Sequence, residues 1–401
     1  MEAPFKVLSD GDKVLPPPLQ AAIDKIVEKE GYITYKTVNR SISTSGGNFL
    51  ANLFEVDIKG KTVDGDKETN IFIKNKMDDI QVTIIDVAEC YSLENFFYGH
   101  LSKLYDDIQN KANIPVEERY NMVKSYDAMN PNAIILENLA KKGFTTVHRM
   151  EVAPLKFAQL SVQQLARFHG LSWVLEEQHP EYFAKKIRSL KFTLQFNDDY
   201  QKFIDNMSTY TDKCVDEDQK DKLNKFKSGF LETLKKNHFD NAGIRCCLCH
   251  GDYRANNILV KKDGDNITEV IPVDYQLLYY GCPVLDFIYF IFLCTDQEFR
   301  RNHLNDLKDL YYESLRMFLK YFNMDVESVY PRREFETEYK KRLDFGLAYS
   351  LLLTPILFTN DDDVPDIAKD DLGTLSVTPD PKMDERVRGL LDDFEKWGIF
   401  R

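Results

Sequence analysis

His250-Gly251-Asp252-Tyr253-Arg254-Ala255-Asn256-Asn257, followed by Ile271-Pro272-Val273-Asp274-Tyr275-Gln276, is the stretch on which the reading of this chain turns. An Asp five residues before an Asn, with a second Asp about twenty residues on at a strand end, is the spacing phosphoryl transfer uses. Asp252 would accept or orient the proton of an attacking hydroxyl. Asn257 and Asp274 offer hard oxygen ligands of the kind Mg²⁺ prefers, and that ion in turn holds nucleotide phosphates. The surroundings agree: Arg245 to Cys249 reads as a short buried strand running into a tight turn at Gly251, and Ile258-Leu259-Val260 leaves as another strand. Lys262-Asp263-Gly264-Asp265 is a hairpin signal that returns the chain through Val270 to Val273 and delivers Asp274 beside Asn257. His-Gly-Asp alone would read as an ordinary polar turn; the downstream Asn, hairpin and second Asp make it a candidate site.

The chain has 401 residues, 43% apolar and 12% aromatic, enough for two packed lobes sharing a cleft. A net charge of −13 disfavours nonspecific binding to nucleic acid or to anionic membrane, so no nucleic-acid partner is expected. Met1-Glu2-Ala3-Pro4-Phe5-Lys6 has no apolar core of signal-peptide length, and no later run reaches the roughly 18–20 apolar residues of a membrane span. The expectation is a cytoplasmic protein. Seven scattered cysteines point to reduced thiols. Cys246-Cys247-Leu248-Cys249 contains one C-x-x-C, but in an apolar strand and without a second pair, so buried thiols are expected rather than zinc ligands.

Working back from the central stretch, residues 1–18 read as a loosely attached arm, and Leu19 to Glu30 has the apolar spacing of a short helix stopped by Gly31. Ser45-Gly46-Gly47-Asn48-Phe49 leads into an alternating strand at Leu53 to Lys59; Gly46, Gly47 and Asn48 can lay backbone N–H groups over phosphate oxygens. After a turn at Asp64-Gly65-Asp66, the strand Thr69 to Lys74 ends in a lysine placed to reach α- and β-phosphates, which needs a carboxylate to hold it. Glu94 is the candidate partner, on a helix over Val87 to Leu104, with Glu89 as runner-up. Ala133 to Leu139 is an apolar strand breaking into Lys141-Lys142-Gly143-Phe144. It is assigned as the connection between lobes, where Glu137 and Leu139 are candidate contacts to an adenine edge. The division is thus 1–37, arm and capping helix; 38–138, nucleotide-binding lobe; and 139–401, helical lobe with the catalytic loop and acceptor pocket.

From Pro154 onward the pattern turns helical, with His169 expected as a hydrogen-bonded core residue. Asp286 lies only twelve positions beyond Asp274 and no Ala-Pro-Glu signature follows, too short for a peptide-docking segment. Leu304 to Phe322 and Phe335 to Leu357 read as long amphipathic helices, followed by an acidic loop at 361–366 and a terminal helix near Asp384 to Trp397.

With these motifs in place, the chain resembles the insect ecdysteroid-kinase-like (CHK-kinase-like) proteins, relatives of choline kinases and aminoglycoside phosphotransferases. The resemblance runs from about Val38 to Phe322 and is carried by Gly47-Asn48-Phe49, Ile73-Lys74, Glu94 with Phe97-Tyr98, Leu136-Glu137-Asn138-Leu139, Leu165 to Ser172 and His250 to Asn257. It implies an α+β, two-lobed protein-kinase-like fold, with a small N-terminal antiparallel sheet lobe plus helix and a larger, mostly helical C-terminal lobe. It also implies Lys74 and Glu94 as phosphate anchor, Asp252 as base, Asn257 and Asp274 as metal ligands, and Asp286 as a brace for the catalytic loop. ATP and Mg²⁺ are the implied cofactors, and the acceptor is a small-molecule alcohol: an ecdysteroid, a xenobiotic or another hydroxylated lipophile. A choline or ethanolamine kinase is the nearest alternative, since the helical half is rich in Phe and Tyr. A ligand-binding pseudokinase is the other, and its mark, a missing base, lysine or metal ligand, is not found. The chain departs from the family pattern at Arg254, where an aromatic is common, at Tyr275, where Phe is, and at Pro272, where an aliphatic residue is. None of these removes a group needed for transfer.

Overall fold

Strand alternation builds the smaller lobe. The computed structural model describes residues 5–8, 14–42, 51–77, 82–126, 130–360, 363–365 and 370–399. Strands β1 (Phe5–Leu8), β2 (Thr34–Ile42), β3 (Ala51–Thr62), β4 (Gly65–Lys76) and β5 (Ala133–Glu137) form one sheet in sequence order. β2 to β5 pair antiparallel, and β1 adds a short parallel edge along Thr34 to Thr37, so part of the expected loose arm is in the sheet. Because successive side chains point to opposite faces, Val56, Ile58, Ile71, Ile73, Ala133 and Ile135 share one face. There they bury against Leu19, Ile23 and Ile26 of helix α1 (Pro17–Lys29). Leu53, Phe72, Lys74, Ile134 and Leu136 face the other way, into a cleft. Residues 14–37 therefore share their core with the strands that follow, and β2 begins at Thr34, ahead of the expected lobe start at 38.

Helix α2 (Val87–Phe96) is capped by Asp86, whose carboxylate accepts from Glu89 N at 3.0 Å. The single helix expected here instead passes through a π-turn at Phe97–Leu101 into helix α3 (Ser102–Lys111). The wider turn lets Phe97, Tyr98 and Leu101 all be buried, and Phe97 stacks on Tyr275 with centroids 3.4 Å apart. After β5 the chain makes a 3₁₀ turn, Leu139–Lys142, capped by Asn138, reverses at Gly143 (φ +84°) and enters β6 (Phe144–Thr146).

The larger lobe holds α4 (Leu155–Gln178), α5 (Pro180–Lys186), α6 (Asp198–Thr211), α7 (Glu217–Lys227) and α8 (Phe230–Phe239). Then come β7 (Cys247–Cys249), β8 (Ile258–Asp263), β9 (Asn266–Pro272), β10 (Tyr279–Gly281) and α9 (Val284–Cys294). It closes with α10 (Gln297–Lys320), α11 (Val326–Val329), α12 (Arg332–Lys341), α13 (Leu343–Leu357) and α14 (Lys382–Lys396). Every residue of α9 is buried, making it the lobe's central helix. The helix expected over Phe335 to Leu357 is two: at Arg342 the chain breaks so that the guanidinium can donate to the carbonyls of Asn237 and Asp240. β6 pairs with β8 and β10 with β7, two strand pairings absent from the sequence reading. All seven cysteines are free and buried. Among the described residues no helix is long and apolar enough to cross a membrane.

The docking of α1 is testable. Ile23 is 1% exposed against the sheet, so Ile23→Ala should cost about 2–5 kcal/mol, as deletion of a buried aliphatic side chain does. Urea unfolding followed by circular dichroism measures it; an unchanged midpoint would show that the helix contributes nothing to the sheet's stability.

Candidate active site

Lys74 sits two residues before the end of β4, opposite Leu53 on β3 and Ile134 on β5, and its side chain reaches down from the sheet. Its Nζ donates to Glu94 Oε2 at 2.8 Å, Asp274 Oδ1 at 2.7 Å and Gln276 Oε1 at 3.1 Å. Glu94 is buried at 2% exposure on the inner face of α2, while Glu89 is exposed and its backbone serves the cap. Burial alone would lower the Lys74 pKa, but the Asp274 and Glu94 carboxylates more than offset it, so the ammonium is held protonated. Burial, opposed by Lys74 and reinforced by the charge of Asp274, pushes Glu94 up to about 7.

The lower wall is the hairpin of β8 and β9. Ile258 pairs with Pro272, and Val273 N donates to Asn257 O at 2.9 Å, so Asn257 and Asp274 emerge side by side from the hairpin's open end. Asp274 takes the left-handed backbone conformation, φ +68°, which costs a non-glycine residue about 1–3 kcal/mol. That conformation turns its carboxylate to Lys74.

Asp252 lies in the loop after β7. Asp286, from α9, accepts from His250 N at 2.6 Å and Gly251 N at 2.9 Å, and also meets His169 Nε2 at 3.1 Å. Gly251 has φ +83°, and a Cβ there would stand 2.2 Å from Leu277 O, so the turn requires glycine. The Asp252 carboxylate receives Asn257 Nδ2 at 2.8 Å on Oδ2, and Arg254 Nε and Tyr289 OH, each at 2.8 Å, on Oδ1. Burial pushes its pKa up, but the Arg254 guanidinium beside it and the Tyr289 hydroxyl prevail and hold the carboxyl below its ordinary value.

Lys74, Glu94, Asn257 and Asp274 line one cavity of about 460 Å³, closed above by Leu53, Phe72, Ile134 and Leu136 and below by Leu259 and Val273. Glu137, Asn138, Leu139 and Ala140 form its edge along the connection between sheet and helices. The upper and lower walls are apolar, as a nucleotide base requires, and Lys74, Glu94 and Asp274 are grouped together among the lining side chains. Gly46, Gly47 and Asn48 lie outside the described residues. Three polar neighbours of the site were not singled out by sequence as its partners: Gln276 against Lys74, and Arg254 and Tyr289 against Asp252. Arg254 and Gln276 sit two residues beyond Asp252 and Asp274, and that proximity is the only signal the sequence carries; Tyr289 comes from a helix 37 positions away.

His169, Cys247 and Cys249 bring possible ligand atoms within 4.8 Å of one another. Both ring nitrogens of His169 are already engaged, Nδ1 with Tyr311 OH at 2.7 Å and Nε2 with Asp286, and burial raises both thiols. The group belongs to the core beneath the loop.

Among solved structures, the chain is similar to the Plasmodium vivax ethanolamine kinase, at 15% identity and TM-score 0.40, covering 90% of this chain and 83% of that one. It is similar to the microcompartment-associated aminopropanol kinase at 13% identity and TM-score 0.42, covering 88% and 93%. It is also similar to the GDP complex of wild-type aminoglycoside 2'-phosphotransferase-IIIa, at 13% identity and TM-score 0.36, covering 83% and 96%. No curated protein matches the chain. The model of the ecdysteroid kinase-like family matches residues 45–324, well over half the sequence, and the chain belongs to that family.

Proposed function

We propose that this protein transfers the γ-phosphoryl group of ATP to a hydroxyl of a small lipophilic alcohol, an ecdysteroid or a compound of similar size and polarity. The observation that carries the reading is the convergence on one cavity of a buried lysine paired with a helix carboxylate and of the Asn257 and Asp274 oxygens, with Asp252 hydrogen-bonded to Asn257. Membership of the ecdysteroid kinase-like family supports both the kinase chemistry and the choice of acceptor.

The donor chemistry of the site fits Mg²⁺. Asn257 spends its Nδ2 on the backbone and side-chain oxygens of Asp252, which leaves its Oδ1 as the atom available to the cavity. Asp274 gives Oδ1 to Lys74 and keeps a second oxygen. Asn257 and Asp274 would hold the ion, which when bound neutralises charge on the nucleotide phosphates. The chain's own residues do the rest. The apolar walls take the base, Glu137 and Leu139 present backbone groups to its edge, and Lys74, held by Glu94, meets the phosphates as a point charge. Asp252, kept ionised, accepts the hydroxyl proton and aligns the attacking oxygen.

A panel of acceptors with ATP and Mg²⁺ tests the reading: ecdysone, choline, ethanolamine, a sugar and a simple xenobiotic alcohol, with the product identified by mass. The expected result is a kcat/KM for ecdysone well above that for choline, lost on chelation of the divalent ion. A preference for choline would replace the acceptor and keep the kinase; no transfer to any acceptor would favour a ligand-binding module.

Asp252→Asn keeps the shape of the side chain and removes the base, so turnover should fall by roughly 10²–10⁴ with nucleotide affinity nearly unchanged. Steady-state kinetics alongside nucleotide titration separates the two, and equal turnover in mutant and wild type removes Asp252 from the role.

Lys74→Met and Glu94→Gln should each lower turnover, and the double mutant should lose far less than the product of the two single losses, because the pair acts as a unit. Simple additivity in that cycle would mean that Glu94 does not act through Lys74.

A further inference from the structure

Asp252 is held from three directions, and the donors divide unequally between its oxygens. Among the described residues, Oδ1 accepts from both Arg254 Nε and Tyr289 OH, whereas Oδ2 accepts only from Asn257 Nδ2. A carboxylate has about four acceptor directions, two on each oxygen. Oδ1 is therefore filled and Oδ2 keeps one direction open.

The two donors on Oδ1 come from elements fixed independently of each other. Arg254 stands in extended backbone (φ −141°, ψ 169°) just before the short turn that carries Asn257, and its side chain folds back on the loop. Tyr289 projects from the middle of α9, the same buried helix whose Asp286 holds the loop backbone. Its ring packs edge-on against Tyr349 of α13, with centroids 5.2 Å apart, so its hydroxyl has little freedom. The side chains of Asp252 and Arg254 are 9% and 23% exposed, so this ion pair is screened far less than a surface pair.

We propose that Arg254 and Tyr289 are positioning residues for Asp252: together they occupy Oδ1, fix the plane of the carboxylate, and leave Oδ2 as the atom that receives the acceptor hydroxyl. This rests on the kinase reading above. In the transfer, the hydroxyl oxygen forms its bond to the γ-phosphorus while its proton passes to Asp252 Oδ2. The bond from the γ-phosphorus to the β–γ bridging oxygen breaks, and its electron pair leaves with ADP. A carboxylate free to rotate would present either oxygen at any tilt, and misplacement by an ångström at a reacting centre costs on the order of 10²-fold. The effect belongs in kcat, because neither residue lines the cavity that Lys74 and the lobe connection form.

The test measures phosphoryl transfer to ecdysone, to choline and to water (ATP hydrolysis) for the wild type, Tyr289→Phe, Arg254→Gln and Arg254→Lys, each also in an Asp252→Asn background. In the wild-type background, Tyr289→Phe and Arg254→Gln should lower kcat by on the order of 10-fold or more, the loss of a hydrogen bond to a charged group, with KM for ATP within about twofold. Arg254→Lys, which keeps a cationic donor, should retain more activity than Arg254→Gln. In the Asp252→Asn background neither substitution should cost anything further. Losses that persist undiminished in that background, a change in KM for ATP in place of kcat, or undiminished activity in Tyr289→Phe would each overturn the positioning role while leaving the kinase intact. Absence of transfer to every acceptor and to water in the wild type would overturn the kinase reading and this inference with it. Tyr289→Phe removes a single oxygen from a packed ring, so it reports even where an Arg254 variant fails to fold.

Discussion

The ammonium of Lys74 is the point at which three parts of the molecule meet. It belongs to the sheet, its carboxylate partner Glu94 to helix α2, and Asp274 and Gln276 to the chain leaving the lower hairpin. A charge this deeply placed must be paired, because an isolated ammonium in such surroundings is strongly unfavourable. Replacing the whole group by apolar side chains would often be neutral or favourable for stability, whereas removing one partner leaves a costly unpaired charge. The cluster is therefore poor ballast for the fold and a sensitive register of how sheet, helix and hairpin lie. Two carboxylates around one ammonium leave a negative surplus; the Asp274 charge adds to the burial that pushes Glu94 up to about 7, and it is the kind of surplus a bound cation would balance.

Below the cleft, the loop is held by its backbone. Asp286 is 1% exposed and satisfies two amides that would otherwise be buried without partners, each worth about 1–3 kcal/mol. His169 and Tyr311 complete the chain of hydrogen bonds behind it. The arrangement explains why an acidic residue is retained in the first turn of an otherwise apolar helix, and why Gly251 has no substitute: the same turn that exposes the two amides to Asp286 brings the Gly251 Cα up against the Leu277 carbonyl.

Much of this was legible because it follows from short periods. The alternation of Val56 and Ile58 with Glu55, Asp57 and Lys59 gives β3 its apolar face, and the turn signal at Lys262 to Asp265 sets the hairpin that puts Asn257 beside Asp274. Glu94 falls next to Leu93 and three before Phe97 on the buried stripe of its helix, which turns it inward where Glu89 is turned out. What escaped the sequence leaves no period. β6 and β10 are three residues each, too short to alternate visibly, and their partners lie far along the chain. The π-turn depends on Phe97 finding Tyr275, and the break at Arg342 on finding the carbonyls of Asn237 and Asp240, contacts set by packing. Gln276, Arg254 and Tyr289 are ordinary polar residues until the fold brings them to a charged group.

The pairing of β6 with β8 fixes where the molecule can bend. Phe144 to Thr146 are hydrogen-bonded alongside Lys261 to Leu259, so the strand that follows the connection travels with the lower hairpin, while Glu137 travels with the sheet through its pairing to Ile71. Asn138 is also tied to the sheet, its N donating to Asn70 O at 2.9 Å and its Nδ2 to Glu55 Oε1 at 2.8 Å, so along the chain the passage from sheet to hairpin falls to the five residues Leu139 to Gly143. Their torsional freedom is further curtailed by the Asn138 cap and by a one-turn coil ending in a left-handed glycine. Adenine-edge contacts at Glu137 and Leu139 would sit directly on this pivot. An occupant of the cavity would therefore grip the axle of the two lobes rather than their rims, and small changes at the base would be levered into larger displacements at the phosphate end.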